Sequence, residues 1–578
     1  MSQNSTFRTL LWFSIWCVGT ACLALPQAVT AQTKIDETQL ELIEDLSESF
    51  ANDMLELSVA VRNYDLQRMA DFFAVRIIGE RLPSQPTELK PLSSLWITSH
   101  GWTPSAALTP SQQADEKTGA KPASNAQSRE QFLQDWAMLL DHLGEIEDVR
   151  FKVKQANFDD PTVALIRARI AFFIIGRDRD GRREWIRGTA QVSAGQAEDK
   201  VWKIASFDLA GLESMVATTD LFSEIAAPAG VEVTIPPYGS PANSGFAWRG
   251  AAASDLNNDG LLDLFVTGNE RNYVYLNDGQ GKFQEVSEAA QVQVLLSHGT
   301  QPVILDYDND GDGDVFLSAV GSQILLENRL VPDGKLEFRD VSLEAGVAKD
   351  AIGFSAVVGD VNGDGLPDIY VACYNRYGTI TPDSWFKATN GTPNLLFVNQ
   401  GKGTFREEAV KWGVADSRWS YAAAFADVND DGKLDLYVSN DFGENGLFVN
   451  QGNRFIDEAQ ERGVLDIGNG MGVAFGDINN DGWLDLHSTN MSSTAGNRIL
   501  SRLFPQSSAQ DNVLMKLASG NSLFENLGGG RYRDMTTDAG GLSASWAWGG
   551  GFIDFDNDGW EDLYSPNGFI SGKSMKDT

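Results

Sequence analysis

Apolar residues recur at steps of three and four through residues 36–80, at Leu40, Ile43, Leu46, Phe50, Met54 and Leu57, a spacing that predicts a helix with one buried face. A second helix is predicted over residues 130–144, and four strand-like runs follow at 149–156, 163–175, 185–192 and 200–209. Residues 82–128, rich in Pro, Ser, Ala and Gln, read as a loop or partly disordered insertion. Helices followed by consecutive strands predict an α+β layer with an antiparallel sheet over residues 32–220.

Beyond residue 220 the pattern changes to short apolar runs separated by Gly and Asn turns, and it repeats. One unit reads Met471-Gly-Val-Ala-Phe-Gly476, an acidic nonapeptide, Leu486-His-Ser-Thr489, Ser522-Leu-Phe-Glu-Asn526 and Tyr532-Arg-Asp534, which is four short strands. The acidic nonapeptides begin at Asp255, Asp306, Asp360, Asp427, Asp477 and Asp554. A period of about 50 residues with four strands per unit predicts a β-propeller over residues 221–578. Two longer spacings locate insertions at residues 374–392 and 491–520, the first places to look for a partner.

Composition sharpens the division. The chain of 578 residues carries 80 acidic and 45 basic side chains, a formal charge of −35. Residues 32–220 contribute a net −9 and residues 221–578 a net −27. So acidic a surface repels phosphate backbones and excludes nucleic acid as a partner. Residues 1–31 read as a signal peptide: Arg8 is the one charge, an apolar run covers residues 10–25, and Val29-Thr30-Ala31 offers small residues before Gln32. An uncleaved anchor is the alternative, and no later stretch is apolar enough to span a bilayer. Cys17 and Cys22 fall inside the leader, so the exported chain keeps Cys373 alone and forms no internal disulfide. The expected location is secreted, periplasmic or on the cell envelope, and the expected state is a monomer.

Each nonapeptide has Asp or Asn at positions 1, 3, 5 and 9 and Gly at position 6. The candidate ligands, with position 7 offering its backbone carbonyl, are Asp255, Asn257, Asp259, Leu261 and Asp263 in the first loop, and Asp306, Asp308, Asp310, Asp312 and Asp314 in the second. The third loop supplies Asp360, Asn362, Asp364, Leu366 and Asp368, and the fourth Asp427, Asn429, Asp431, Lys433 and Asp435. The fifth supplies Asp477, Asn479, Asp481, Trp483 and Asp485, and the sixth Asp554, Asp556, Asp558, Trp560 and Asp562. Hard oxygen donors around a Gly turn suit calcium, in up to six sites, better than magnesium or zinc. Converging carboxylates repel unless a cation lies between them. The loops are not EF-hands: position 12, where an EF-hand places Glu, is Val266, Leu317, Val371, Val438, Ser488 or Ser565, and an apolar strand follows.

Residues 474–485, with Leu447-Phe-Val-Asn-Gln-Gly452 and residues 455–464, resemble the FG-GAP or VCBS repeat of integrin α-subunits, cartilage acidic protein and many exported bacterial proteins. That resemblance covers about residues 221–578 and implies a propeller of six to seven blades whose loops bind calcium through the residues just named. Residues 222–231 match the closing strand of a repeat and are expected to complete the last one, after which only 16 residues remain beyond Asp562. By element order alone, residues 32–220 resemble the cone-shaped domains related to nuclear transport factor.

Catalytic groups are scarce. His100 falls in the insertion, His142 on a predicted helix, His298 beside a turn and His487 on a strand, with no spacing that joins them to a nucleophile. The expected function is therefore interaction with an extracellular protein or glycan, calcium being mainly structural; the alternative is a polysaccharide lyase on a calcium scaffold. Trp248, Trp412, Trp419, Trp483, Trp546, Trp548 and Trp560 are expected mostly to pack between blades. Arg167, Arg169, Arg177, Arg179, Arg182, Arg183 and Arg187 form a basic stretch on adjacent strands, either a solvated face or a site for an acidic ligand.

Overall fold

The computed structural model describes residues 37–79, 81–83, 86–90, 96–102, 126–232, 250–268, 271–292, 298–375, 379–504, 512–540 and 546–567. The leader expected at residues 1–31, and Trp248, lie outside them. Two compact units divide between Thr218 and Thr219. Among the described residues no helix is long and apolar enough to cross a membrane.

The first unit opens with helix α1 (Glu37–Arg62) and the short α2 (Leu66–Ala70), capped by the Asp65 carboxylate on the Arg68 N–H at 3.0 Å. Strands β1 (Phe73–Ile78), β2 (Pro86–Lys90), β3 (Ile97–Trp102) and β4 (Ala126–Ser128) precede helix α3 (Arg129–Leu140). Long strands β5 (Leu143–Asn157), β6 (Leu165–Asp178), β7 (Arg183–Gln196) and β8 (Trp202–Ala217) follow. The sheet order is β2-β3-β8-β7-β6-β5, with β1 parallel to β8 and β4 on its edge. The residues read as a loop at 82–128 thus contain three strands. Their polar, Pro-marked sequence hid them because β2 and β4 are edges, where a missing ladder donor is tolerated.

Strict alternation on β6 sends Ile166, Ala168, Ile170, Phe172 and Ile174 inward, where they meet Phe50, Met54 and Leu57 of α1 and Phe132, Trp136 and Leu139 of α3. Phe151 stacks on Phe172 at 5.1 Å, and Trp136 packs against both. Ser58 links helix to sheet, its hydroxyl donating to the Met54 carbonyl at 2.8 Å and accepting the Phe151 N–H at 2.9 Å.

The second unit is a series of antiparallel sheets. First strands run at Ala251–Ser254, His298–Leu305, Asp350–Gly359, Ser420–Ala426, Gly470–Gly476 and Gly551–Ile553. Second strands run at Asp263–Val266, Asp314–Ser322, Asp368–Cys373, Asp435–Asn440, Asp485–Asn490 and Asp562–Tyr564. Five repeats add a third strand, at Tyr273–Asn277, Ile324–Asn328, Leu395–Asn399, Gly446–Asn450 and Ser522–Asn526, and a short fourth that opens on Phe283, Phe338, Phe405, Phe455 or Tyr532. Within each of these sheets the strands are neighbours in the order four-three-two-one. The sixth shows two strands among the described residues.

The first strand of each repeat lies against the first strand of the next along the whole series. Hydrophobic clusters sit between consecutive sheets: Phe265 and Val274 of the first meet Val315 and Leu317 of the second, while Phe316, on the opposite face, meets Ile369 and Phe397 of the third. This is why Val315-Phe316-Leu317, Ile369-Tyr370-Val371 and Leu436-Tyr437-Val438 are continuous apolar runs, since both faces are buried; the fifth second strand, Asp485–Asn490, is as buried but mostly polar. The insertions follow second strands, and the one at 491–520 contains helices Thr494–Leu503 and Val513–Ser519.

Residues 222–231 behave as part of a repeat. The Phe222 ring lies 6.1 Å from that of Phe555 and 6.4 Å from that of Tyr564. The turn Ala226–Ala229 ends at Gly230 with φ +81°, as Ala409–Trp412 ends at Gly413 and Ala459–Arg462 at Gly463.

Candidate metal centres

All six nonapeptides connect a first strand to a second, so position 9 is the first residue of a strand in every repeat. The turn is wound by its own side chains. The position 1 carboxylate accepts the N–H groups of positions 5 and 6: Asp255 from Asp259 and Gly260 at 3.0 and 2.8 Å, and likewise Asp306, Asp360, Asp427, Asp477 and Asp554 within 2.7–3.1 Å. The position 5 carboxylate accepts the N–H of position 7 in all six, for example Asp310 from Asp312 at 3.1 Å. Position 6 Gly is left-handed throughout, and so is position 4: Asn258, Asn309, Gly363, Asp430, Asn480 and Asn557. Asn, Asp and Gly are the residues that adopt that conformation most cheaply, so position 4 was a legible part of the motif that the ligand pattern did not use.

The position 9 carboxylates Asp263, Asp314, Asp368, Asp435 and Asp485 are fully buried. Each accepts the N–H of position 2 at 3.0–3.2 Å and the N–H of the Asn that ends the third strand at 2.7–2.8 Å. That Asn reaches further. Its amide donates to the position 8 carbonyl of its own repeat and to the position 2 carbonyl of the preceding one, as Asn328 does to Leu256, Asn399 to Tyr307, Asn450 to Val361 and Asn526 to Val428. Ligand spacing gave no reason to single out these asparagines, although an Asn closing every third strand was visible.

Two loops bring carboxylates together. Asp306, Asp308 and Asp314 each offer an oxygen within 4.8 Å of the others, and so do Asp554, Asp556 and Asp558. Asp310 and Asp312 lie beside the first trio, with Asp312 giving one oxygen to the Val331 N–H at 2.7 Å. Burial, reinforced by neighbouring carboxylates, pushes Asp312 up to about 6 and Asp314 up to about 8. Burial likewise lifts Asp368, Asp435 and Asp485 to about 6. Buried oxygens without a hydrogen bond remain at Asp308 Oδ1, Asp312 Oδ1, Asn429 Oδ1 and Asp562 Oδ2. Orphaned buried acceptors beside mutually repelling carboxylates are the environment that a hard cation satisfies. Where position 3 is Asn, Asn257 and Asn362 turn their amides onto Asp259 and Asp364 at 2.9 Å. Lys433 pairs with Asp431 at 3.0 Å in the fourth loop.

The other candidates are dispersed. His100 lies on β3, 3.2 Å from the Thr98 hydroxyl, and His142 lies just past the end of α3 on Glu184 at 2.7 Å. His487 is buried, 3.1 Å from the Ser522 carbonyl. Of the basic stretch, Arg177 and Arg183 pair with Glu147, Arg182 with Asp178, Arg187 with Glu213 and Arg167 with Asp159. Trp412 packs on Phe455 and Trp419 on Tyr374 and Phe442, whereas Trp560 is 48% exposed.

An FG-GAP-like repeat family matches residues 255–317, 384–438 and 427–488. Mouse cartilage acidic protein 1 is 37% identical over 117 residues, 20% of this chain and 16% of that protein. The human protein of the same name is 28% identical over 225 residues, 35% of this chain and 31% of that protein. The chain thus spans less than a third of the curated relatives it matches. Among solved structures, an NTF2-like superfamily protein from Salmonella enterica aligns with 29% of this chain and 92% of its own at 8% identity and TM-score 0.19. The second unit carries FG-GAP-like repeats and shares homology with cartilage acidic protein 1.

Proposed function

We propose that the second unit is a calcium-loaded β-propeller belonging to an extracellular or envelope protein that binds a protein or glycan and performs no catalysis. The observation that carries the metal is the second loop, where the carboxylates of Asp306, Asp308 and Asp314 converge within 4.8 Å and buried oxygens of Asp308 and Asp312 lack donors. Asp306, Asp308, Asp310 and Asp314, with the Asp312 carbonyl, would hold the ion. Bound there, calcium supplies charge neutralisation, while the chain's own hydrogen bonds shape the turn. The propeller reading is supported by first strands that neighbour one another in series and by Phe222 packed on the last repeat. Seven blades or six, the ring would close through residues 222–231.

Similarity to cartilage acidic protein 1 supports an extracellular setting for the FG-GAP-like repeats. Both insertions emerge where second strands end, opposite the nonapeptide loops, and that end of the array is the proposed contact face. Calcium titration of the metal-stripped chain tests the reading. Several ions per chain, with dissociation constants on the order of 0.1–1 mM, are expected. A chain that takes up no calcium would overturn it.

A further inference from the structure

The outer face of the first unit's sheet contains three cations that no carboxylate pairs with among the described residues. On β5, Val149, Phe151, Val153 and Ala156 enter the core, and Arg150, Lys152 and Lys154 stand on the other face, all half-buried. Val153 lies opposite Ile170 and Gln155 opposite Arg169, so Lys154 is an extra residue, a bulge. The bulge turns Lys154 and Gln155 to the same side, facing Arg169 of β6. Lys152 lies opposite Ala171, which in turn lies opposite Thr189, and Arg169 lies opposite Gln191. The small Ala171 and Thr189 thus stand beside Lys152, and the amides of Gln155 and Gln191 flank Arg169.

Their neighbours are paired. Arg150 meets Asp148 at 3.6 Å, and the other outward arginines of β6 and β7 meet carboxylates as described above. Lys152, Lys154 and Arg169 have no ion pair among the described residues. Burial, with Arg150 beside it, lowers the Lys152 ammonium, against a weaker opposite pull from Asp148; burial, with Lys152 and Arg169, lowers that of Lys154. Lys152 and Lys154, half out of water, and the exposed Arg169 across from them, in a chain of net charge −35, repel one another unless an anion lies between them.

We propose that Lys152, Lys154 and Arg169 hold a tetrahedral oxyanion, with Thr189, Gln155 and Gln191 as neutral donors around it. Lysines two residues apart on a strand stand about 7 Å from each other, a span that one sulfate or phosphate group bridges with an arginine fork across from it. The group arrives either as the free ion or on a sulfated polysaccharide.

Calorimetric titration of the full chain, at ionic strength held constant with chloride, tests this with sodium sulfate and with heparin as the two probes. Sulfate binding assigns the free ion, and heparin binding without sulfate binding assigns the polymer. In either case the combined variant Lys152→Gln, Lys154→Gln, Arg169→Gln is expected to bind at least tenfold more weakly, while Arg187→Gln, a paired cation on the same face, binds as wild type. Absence of binding by both probes, equal binding by the triple variant, or an equal loss in Arg187→Gln would overturn the proposal. In chloride alone the triple variant is expected to melt no lower than wild type, because repulsion is relieved; a melt several degrees lower would also overturn it.

Discussion

The side-chain amide of Asn399 donates to the carbonyl of Tyr307, 92 residues earlier and one repeat back, at 2.9 Å. The same amide donates to Pro367 at 3.3 Å, and its oxygen accepts the Gly401 N–H at 2.9 Å. Asn399 is buried, so Asn399→Ala strands two carbonyls and an N–H away from water, and the expected loss is about 2–3 kcal/mol. Asn399→Asp should cost at least as much, since it replaces the donor with a buried charge. Urea unfolding of the full chain, followed through the second unit's transition, checks both; a loss below half a kcal/mol in Asn399→Ala would show that the inter-repeat bond contributes little.

Gly230 links residues 222–231 to the first repeat. A Cβ built there would stand 2.9 Å from the Phe283 carbonyl oxygen, and at φ +81° any side chain is strained. Gly346, Gly413 and Gly463 make the same approach to Phe405, Phe455 and Tyr532, so the position is a recurrent clasp between one repeat and the fourth strand of the next. Gly230→Ala is expected to destabilise by about 1–3 kcal/mol, as does Gly463→Ala. Thermal melts of the two variants should shift together. A neutral Gly230→Ala beside a damaging Gly463→Ala would mean that residues 222–231 are not part of the repeat array.

The repeats were legible because their turns are written in side chains: Asp at positions 1 and 5 winds the backbone around the position 6 Gly with the same bonds in all six loops, and Asp at position 9 does so in the first five. The asparagines that clasp repeats together were not, because their partners lie a whole repeat away and no local spacing reveals them. In the first unit, β6 and β7 announced themselves through alternation. Strands β2 to β4 did not, because β2 and β4 are short edges and β3, though paired on both sides, is buried only at Gly101 and Trp102, so none carries a period-two pattern. Arg169 looked like one of seven equivalent arginines until five proved to be ion-paired and Arg179 to donate to the Asp141 carbonyl, and Lys152 and Lys154 were lost in an apolar strand.

Glu184 is wholly buried and bonds His142 Nε2 at 2.7 Å, and this hydrogen bond, outweighing burial, raises the His142 imidazolium above its ordinary value. A group whose folded pKa exceeds its unfolded value stabilises the fold fully below the unfolded pKa, near 6.5, and the contribution fades as pH rises through the folded pKa. The first unit should therefore lose stability on the alkaline side of about pH 6.5. In His142→Gln the neutral amide removes that dependence. Hydrogen exchange of β6 and β7 amides under mild urea, corrected for intrinsic rates between pH 6 and 8, measures the difference. A pH slope unchanged in His142→Gln would refute the assignment.

Asp308 is the residue at which the proposed metal can be told apart from the scaffold of its loop. Asp306 winds the turn through two N–H groups, so its removal costs stability with or without an ion. Asp308 Oδ1 has no hydrogen bond, and burial together with Asp310 and Asp306 raises the carboxyl. In calcium at tenfold excess over its dissociation constant a site contributes about 1.4 kcal/mol, and Asp308→Ala should forfeit about that much. With the ion chelated the same substitution removes repulsion and should leave the melting temperature level or higher. The effect of one mutation thus changes sign with calcium, whereas Asp306→Ala lowers the melt in both conditions. Scanning calorimetry of the two variants in calcium and in EGTA reads this directly: if Asp308→Ala lowers the melt equally in both, its carboxylate is a structural acceptor and the loop does not bind calcium through it.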